Sequence, residues 1–254
     1  MRSIWKGNIK FAVVTIPAKL YSPTDDKRVS FHQIHGECGS RIQMPKWCPK
    51  CERKVEASEL AKGYELAKDQ HIILEESDFE SLPLKSVKTI EVVEFVDQTK
   101  IDILAFSDSY YLTCEDVGTM AFQLVREVMA TANLVAIARL TYREREHLSV
   151  VRPYNGIMLL QTLHYADEVR DWRELKPREV TVSDRELEMA LMLVKAFTVS
   201  EFEHTKYHDN YREALEKLIE AKMTGQVLQV EAEQKPVTDI AEALMASLKM
   251  VGVK

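Results

Sequence analysis

The segment AIARLTYREREHLSVVRPYNGIMLLQTLHY, residues 136–165, decides the fold class of this chain. Its β-branched and aliphatic runs predict three strands, over residues 136–142, 147–151 and 157–165. Residues 152–156 join the last two strands, and their Asn-Gly pair is typical of a tight hairpin turn. The centre of the chain is therefore predicted to form a β-sheet.

The strand pattern extends toward the N-terminus. Residues 9–13 alternate between apolar and polar side chains, and residues 88–96 form a second, strongly β-branched run. One helix is predicted over residues 119–131, where apolar residues recur near helical spacing. These residues are Met120, Leu124 and Val128. Many short strands with one inserted helix predict a β-barrel with excursions.

The last third of the chain is predicted to be helical. A capping box at residues 183–186 opens a helix whose apolar side chains surround it on nearly all sides. They are Leu187, Met189, Leu191, Met192, Val194 and Phe197. Such a helix must be covered on more than one face, which indicates burial against a partner subunit or, as the simpler alternative, in a core.

Two further helices are predicted beyond it. One runs from Asp209 to Lys222 and is ended by Gly225. Residues 226–235 are rich in glutamine and predict a linker, followed by a short helix that begins at Asp239. Its apolar stripe includes Ile240, Leu244 and Leu248. This stripe either docks on the chain itself or binds a partner protein, and the reach of the linker favours the partner.

Four residues near the N-terminus have the spacing of a zinc site. They are His35, Cys38, Cys48 and Cys51. Two knuckles that supply three thiols and one imidazole complete a tetrahedral shell, so zinc is expected to be structural rather than catalytic. His32 is an alternative to His35 as the nitrogen ligand.

The alternatives for these cysteines are unmetallated thiols or a disulfide. Residues 1–8 lack the apolar stretch of a signal peptide, and no segment is apolar enough to span a bilayer. We therefore expect a cytoplasmic protein in a reducing compartment, where paired Cys-x2-Cys usually indicates metal. Cys114 lies in an apolar run and is expected to be an inert, packed thiol.

Charge is distributed unevenly along the chain. The formal net charge is −6, yet residues 1–62 contain 12 Lys and Arg against 6 Asp and Glu, while residues 63–134 contain 5 against 14. A basic region on an acidic body can bind phosphate locally, although an ordinary mixed surface is about equally compatible with these counts.

Enzyme classes find little support in the sequence. A catalytic zinc site keeps an open position, and the four predicted ligands leave none. The chain contains neither His-Glu-x2-His nor a glycine-rich phosphate loop. These patterns favour a binding protein over a hydrolase or transferase.

Blocks of sequence spread along the chain resemble bacterial Ku proteins. They are MRSIWKG at residues 1–7, IPAKLYS at 16–22, FHQIH at 31–35, REHL at 145–148, VRPY at 151–154, LHYADEVR at 163–170 and KYHDNYREAL at 206–215. Their number and order make the resemblance far more specific than a single short motif. Residues 241–248 also resemble the short ligase-recruiting region of that family, less specifically.

The resemblance implies a ring-shaped homodimer that is threaded by a broken DNA end and acts in non-homologous end joining. It implies a mixed α+β fold, in which a β-barrel core with an inserted DNA-encircling bridge is followed by a helical arm and a short C-terminal helix. We expect the barrel, bridge and knuckle within residues 1–182, the arm and dimer contact in 183–225, and the linker and ligase-recruiting helix in 226–254. The implied partner is the ATP-dependent DNA ligase D, and no catalytic activity is implied.

A ring that accepts any DNA end is expected to contact phosphates rather than bases. The candidate contacts are Lys6, Lys10, Lys19, Arg139, Arg143, Arg145 and Arg152. Each of them taken singly is equally compatible with a solvated surface charge. We expect the DNA-bound protein to be associated with the nucleoid. The competing prediction is a zinc-stapled scaffold that binds protein and no DNA.

Overall fold

The computed structural model describes residues 1–68, 70–80, 88–142, 145–176 and 178–225. The chain divides into two compact units. The first contains residues 1–27 and 31–171, and the second contains residues 28–30 and those from 172 onward. Three sets of predicted features lie outside the described residues: Arg143, the linker, and the terminal helix with Ile240, Leu244 and Leu248.

Eleven strands and four α-helices occur among the described residues. The strands are β1 (Trp5–Phe11), β2 (Val14–Tyr21), β3 (Trp47–Cys48), β4 (Arg53–Lys54), β5 (Lys62–Ala67), β6 (Gln70–Leu74), β7 (Thr89–Asp97), β8 (Phe106–Cys114), β9 (Leu134–Tyr142), β10 (Arg145–Tyr154) and β11 (Ile157–Leu163). The helices are α1 (Glu76–Glu80), α2 (Thr119–Ala132), α3 (Asp184–Phe197) and α4 (Asn210–Thr224).

Seven strands close into a barrel in the order β1-β2-β8-β11-β10-β9-β7. Neighbouring strands are antiparallel except where β7 returns beside β1, where the pairing is parallel. Strands β3 and β4 form a small separate ribbon, and so do β5 and β6. The prediction of a mixed α+β fold with a β-barrel core is confirmed.

Two local predictions about strands were wrong. Residues 9–13 were expected to form one strand, but β1 ends at Phe11, and Ala12 and Val13 form a two-residue turn into β2. Ala12 adopts a positive φ of 49°, which its residue type does not predict. Residues 152–154 were expected in a turn but extend β10. Only Asn155 and Gly156 form that turn, with the positive φ values of 39° and 86° that a type I′ hairpin requires.

The barrel is filled by aliphatic side chains from all sides. The most deeply buried include Ile16, Leu20, Ile90, Leu112, Leu140, Met158 and Leu160. A second apolar cluster contains Val135, Val150 and Leu163. Because Val135 alternates along β9 with the core residue Ala136, it projects from the opposite face of the barrel wall. Strand β9 is therefore apolar on both faces, which explains its nearly unbroken hydrophobic sequence.

Helix α2 packs on the barrel through a different face from the one that its spacing suggested. Phe122 and Met129 are its buried residues. Met120, Leu124 and Val128, the apolar stripe noted in the sequence, are 86%, 64% and 58% exposed. Both stripes have helical spacing, so periodicity alone does not identify the one that contacts the core.

The second unit contains the two predicted helices. Ser183 caps α3 through the expected capping box with Glu186, and α4 is capped by Asp209 and ended by Gly225 at φ 72°. Within α3, which the structure describes completely, no residue is buried. In the part of the chain that the structure describes, no helix is long and apolar enough to cross a membrane.

Candidate functional site

Two lysines lie opposite each other on the outer wall of the barrel. Lys6 of β1 pairs in register with Lys19 of β2, and Lys19 pairs in turn with Thr113 of β8. Ala18 and Leu20, which flank Lys19, are buried in the core. Since side chains alternate along a strand, Lys19 points outward, and Lys6 shares its face.

Glu115 forms an ion pair with Lys19 of this couple. Its Oε1 lies 2.9 Å from the Nζ of Lys19, with side chains 48% and 27% exposed. The backbone N–H of Glu115 donates to the carbonyl of Pro17, which ties the residue to β2. The hydrogen bond to Glu115 raises the pKa of Lys19. Lys19, and more weakly the charge of Lys6, lower the pKa of Glu115.

A second group of charges lies across β1, β7 and β9. Lys10 is in register with Glu91, and Glu91 is in register with Arg139. Lys10 and Arg139 are both exposed. Neither forms an ion pair or a side-chain hydrogen bond with another described residue. Both side chains are therefore available to an external anion.

Arg145, at the start of β10, is held by an internal carboxylate. Its guanidinium contacts Glu168, whose other oxygen accepts the backbone N–H of Tyr165 at 2.8 Å. The pKa of Arg145 is raised by the hydrogen bond to Glu168. The pKa of Glu168 is lowered, first by Arg145 and then by the N–H of Tyr165. His164 is 3.8 Å from the same carboxylate. This ion pair competes with any phosphate for Arg145.

Arg152 is held by neutral groups instead. Its Nη2 donates to Oε1 of Gln98 at 2.8 Å, and its Nη1 lies 3.5 Å from Oε1 of Gln161. Amide partners fix the guanidinium without neutralising its charge. The structure thus brings Lys6 together with Lys19, places Lys10 and Arg139 on either side of Glu91, and holds Arg145 and Arg152 in separate contacts on β10.

The predicted zinc ligands form two pairs with the same local geometry. Nδ1 of His35 lies 3.1 Å from Sγ of Cys38, and the next residue, Gly39, has φ 69°. Cys48 ends β3, Cys51 lies within the turn to β4, and Cys51 is hydrogen-bonded to Cys48. The residue that follows Cys51, Glu52, also has a positive φ, of 48°. Each pair of donors is therefore followed by a left-handed residue.

Hydrogen bonds favour a thiolate in each pair. The hydroxyl and N–H of Ser40, followed by His35, lower the pKa of Cys38 to about 7. Cys51 and the N–H of Lys50 lower the pKa of Cys48, while Cys48 raises the pKa of Cys51. Thiolate is the form that binds metal, so the chemistry of both pairs fits zinc.

The two pairs are not assembled into one shell. Over the described ranges, no three His, Cys, Asp or Glu side chains come close enough to hold a metal ion together. The four-ligand site with His35, and the alternative with His32, therefore stay predictions. Cys114 is half-buried on β8 and lies next to Thr119, apart from both pairs.

Two functional candidates were missed at the level of sequence. Glu115 and Glu168 each bind one of the predicted DNA-contacting cations. Glu115 follows β8 but pairs with a lysine of β2, which is far away in sequence. No local sequence pattern therefore predicts this ion pair. Glu168 lies in the block at residues 163–170, which resembles the Ku family. The resemblance singles out this segment but does not indicate that Glu168 pairs with Arg145.

Comparison with known proteins gives a consistent match. A family model described as the Ku70/Ku80 beta-barrel domain matches residues 10–189. A protein of Archaeoglobus fulgidus named "Non-homologous end joining protein Ku" is 38% identical over 253 residues, covering 99% of this chain and 100% of the relative. A protein of the same name from Bacillus subtilis is 34% identical over 255 residues, covering 98% of this chain and 82% of the relative.

Proposed function

The chain belongs to the Ku family, and from that premise we propose that it binds the ends of double-stranded DNA without regard to sequence, in non-homologous end joining. The observation that carries the proposal is the match of the family model over residues 10–189, which contain the barrel strands from β2 to β11. This role requires binding alone, and no bond is made or broken by the chain.

Charges on the outer barrel wall support phosphate binding. Lys10 and Arg139 carry positive charge without a described internal partner, and Lys19, which is in register with Lys6, is paired with Glu115. Contacts to phosphate position a protein on DNA but carry no sequence information, as an end-binding protein needs. The acidic segment at residues 63–134 lowers the affinity for nonspecific contact with DNA, and two of its acids, Glu91 and Glu115, lie beside the candidate cations themselves.

We propose that two copies of the chain form a ring around the DNA end. Support comes from α3, whose apolar residues remain exposed although a helix of this composition is expected to be covered. Leu187, Met192 and Phe197 are each more than half exposed. A second copy that packs on α3 would bury them, so the arm at residues 183–225 is the proposed dimer contact.

The terminal segment is proposed to recruit a ligase. The residues proposed to bind the ATP-dependent ligase D are Ile240, Leu244 and Leu248, an apolar stripe at helical spacing. Together with the ring, this contact would protect and bridge broken ends until they are sealed. We place the activity in the cytoplasm, on nucleoid DNA.

A gel-shift comparison tests the function. The chain is expected to shift a linear duplex and to leave a covalently closed circle of the same sequence free, because only the linear form offers an end to thread. Equal binding to both DNAs would contradict end recognition. Absence of binding to either DNA would leave the zinc-stapled, protein-binding scaffold as the function.

A structural zinc ion is proposed for the two donor pairs. Support comes from the donor set of His35, Cys38, Cys48 and Cys51, and from the matching left-handed turn after each pair. When bound, zinc would cross-link the two knuckles and stabilise the folded state. It would hold this basic segment in a fixed shape for contact with DNA or with a partner.

Zinc content measures this proposal directly. The purified wild-type chain is expected to contain about one zinc ion, and Cys48→Ser is expected to lose most of it and to melt at a lower temperature. Cys114→Ser is the matched control, because it removes a thiol outside both pairs and should keep the metal. Wild-type protein without zinc, or Cys48→Ser with a full zinc content, would exclude the site.

A further inference from the structure

The lysine couple on the outer wall of the barrel has an electrostatic cost. Lys6 and Lys19 are directly opposite residues of the antiparallel pair β1·β2. Side chains in such pairs have Cβ atoms only about 4.5–5.5 Å apart, and like charges there repel each other. An anion beside the couple relieves that repulsion.

Glu115 is the internal anion of this couple. Its carboxylate lies 2.9 Å from Lys19, and its pKa is lowered by both lysines. Glu115 is the carboxylate that contacts Lys19 directly, and the charge of Asp116 acts on Lys19 more weakly from a greater distance. The carboxylate is 48% exposed, so it is close enough to solvent to move away while its backbone stays tied to Pro17.

We propose that Lys6 and Lys19 form a binding site for one backbone phosphate of DNA, and that Glu115 is a displaceable internal counter-ion in that site. The inference rests on the proposed function and adds a regulator to it. A phosphate that reaches Lys19 replaces one anion by another, so the net gain in binding is smaller than for an unpaired lysine. Glu115 thereby keeps each contact weak enough to break when the ring moves along DNA.

Affinity measurements on Glu115→Gln test the proposal. The variant keeps the shape of the side chain and removes its charge. At about 0.1 M salt it is expected to bind linear duplex roughly threefold more tightly than wild type. The slope of log K against log salt is expected to change by less than the value of one phosphate contact, about 0.9, because Lys19 contacts the phosphate in both proteins.

Two comparisons separate this effect from a general change of net charge. Glu127→Gln removes the same charge from an ion pair on α2, in which Glu127 is 64% exposed and Arg126 is 20% exposed, and should change affinity by much less. In a Lys19→Gln background, Glu115→Gln should add much less, because only the weaker interaction with Lys6 remains. Circular dichroism melts establish that each variant is folded.

The outcomes are distinguishable. Equal tightening by Glu115→Gln and Glu127→Gln, or full tightening by Glu115→Gln without Lys19, would overturn the counter-ion role while leaving end binding intact. A wild-type chain that fails to bind linear DNA would overturn the proposed function, and this inference with it.

Discussion

Replacing Lys10 and Arg139 together by glutamate is expected to weaken binding to linear duplex DNA by roughly 10- to 100-fold at about 0.1 M salt. The two residues flank Glu91 across three neighbouring strands and have no described ion-pair partner. Each loses one phosphate contact and gains a repulsive charge, so the slope of log K against log salt should fall in magnitude by about 2. Gel shift or fluorescence anisotropy over a salt series measures both quantities.

A control with the same change in net charge shows whether position matters. Lys217→Glu with Lys222→Glu reverses two exposed charges on α4, which belongs to the second unit and contributes no strand to the barrel. This control should weaken binding by only a fewfold through the overall field of the protein. If the control weakens binding as much as the pair at residues 10 and 139, the outer barrel wall is not the DNA surface.

Phe122→Ala is expected to lower the free energy of unfolding by about 3–5 kcal/mol. Phe122 is 4% exposed and packs from α2 into the main core of the barrel, so truncation leaves a cavity. For a domain of this size, the melting temperature should fall by roughly 6–20 °C. Urea or thermal unfolding followed by circular dichroism measures the change.

Leu124→Ala is the matched control in the same helix. Leu124 is 64% exposed and lines a surface pocket with Phe11 and Phe95, so its truncation should cost about 1 kcal/mol or less, well below the cost at Phe122. A large loss from Leu124→Ala together with a small loss from Phe122→Ala would mean that α2 packs through the stripe that the sequence pattern singled out.

Helix α2 has two apolar stripes, and the sequence does not indicate which of them contacts the core. Apolar residues follow two helical stripes, one through Phe122 and Met129 and one through Leu124 and Val128. Periodicity identifies the helix but cannot choose between two apolar faces, since that choice depends on which face meets the barrel. The strands were more predictable, because β-branched runs and the Asn-Gly turn are local signals.

The hairpin between β1 and β2 was missed for a related reason. Its turn consists of Ala12 and Val13, neither of which is a turn residue, so the apolar run reads as one strand. The barrel closes with a parallel pair between β1 and β7, which are far apart in sequence, and only tertiary packing specifies such a pair.

In the candidate site, too, local features were predictable from the sequence and long-range contacts were not. The two knuckles are local and follow from ligand spacing, whereas bringing their donor pairs together is a longer-range event that spacing cannot establish. The pairing of Lys19 with Glu115 joins β2 to the end of β8 and depends on the barrel being closed. The sequence offered the cations as candidates and gave no indication of the carboxylates that bind two of them.

If a DNA end threads through a ring of two chains, closing the DNA into a circle should trap the ring on it. The protein is bound to a linear duplex, the ends are ligated to close the circle, and the complex is challenged with about 1 M salt, which screens the phosphate contacts. A threaded ring should remain on the closed circle and leave it only after the circle is cut. Loss of the protein from closed and cut DNA at the same salt concentration would show that the DNA is not threaded through a ring.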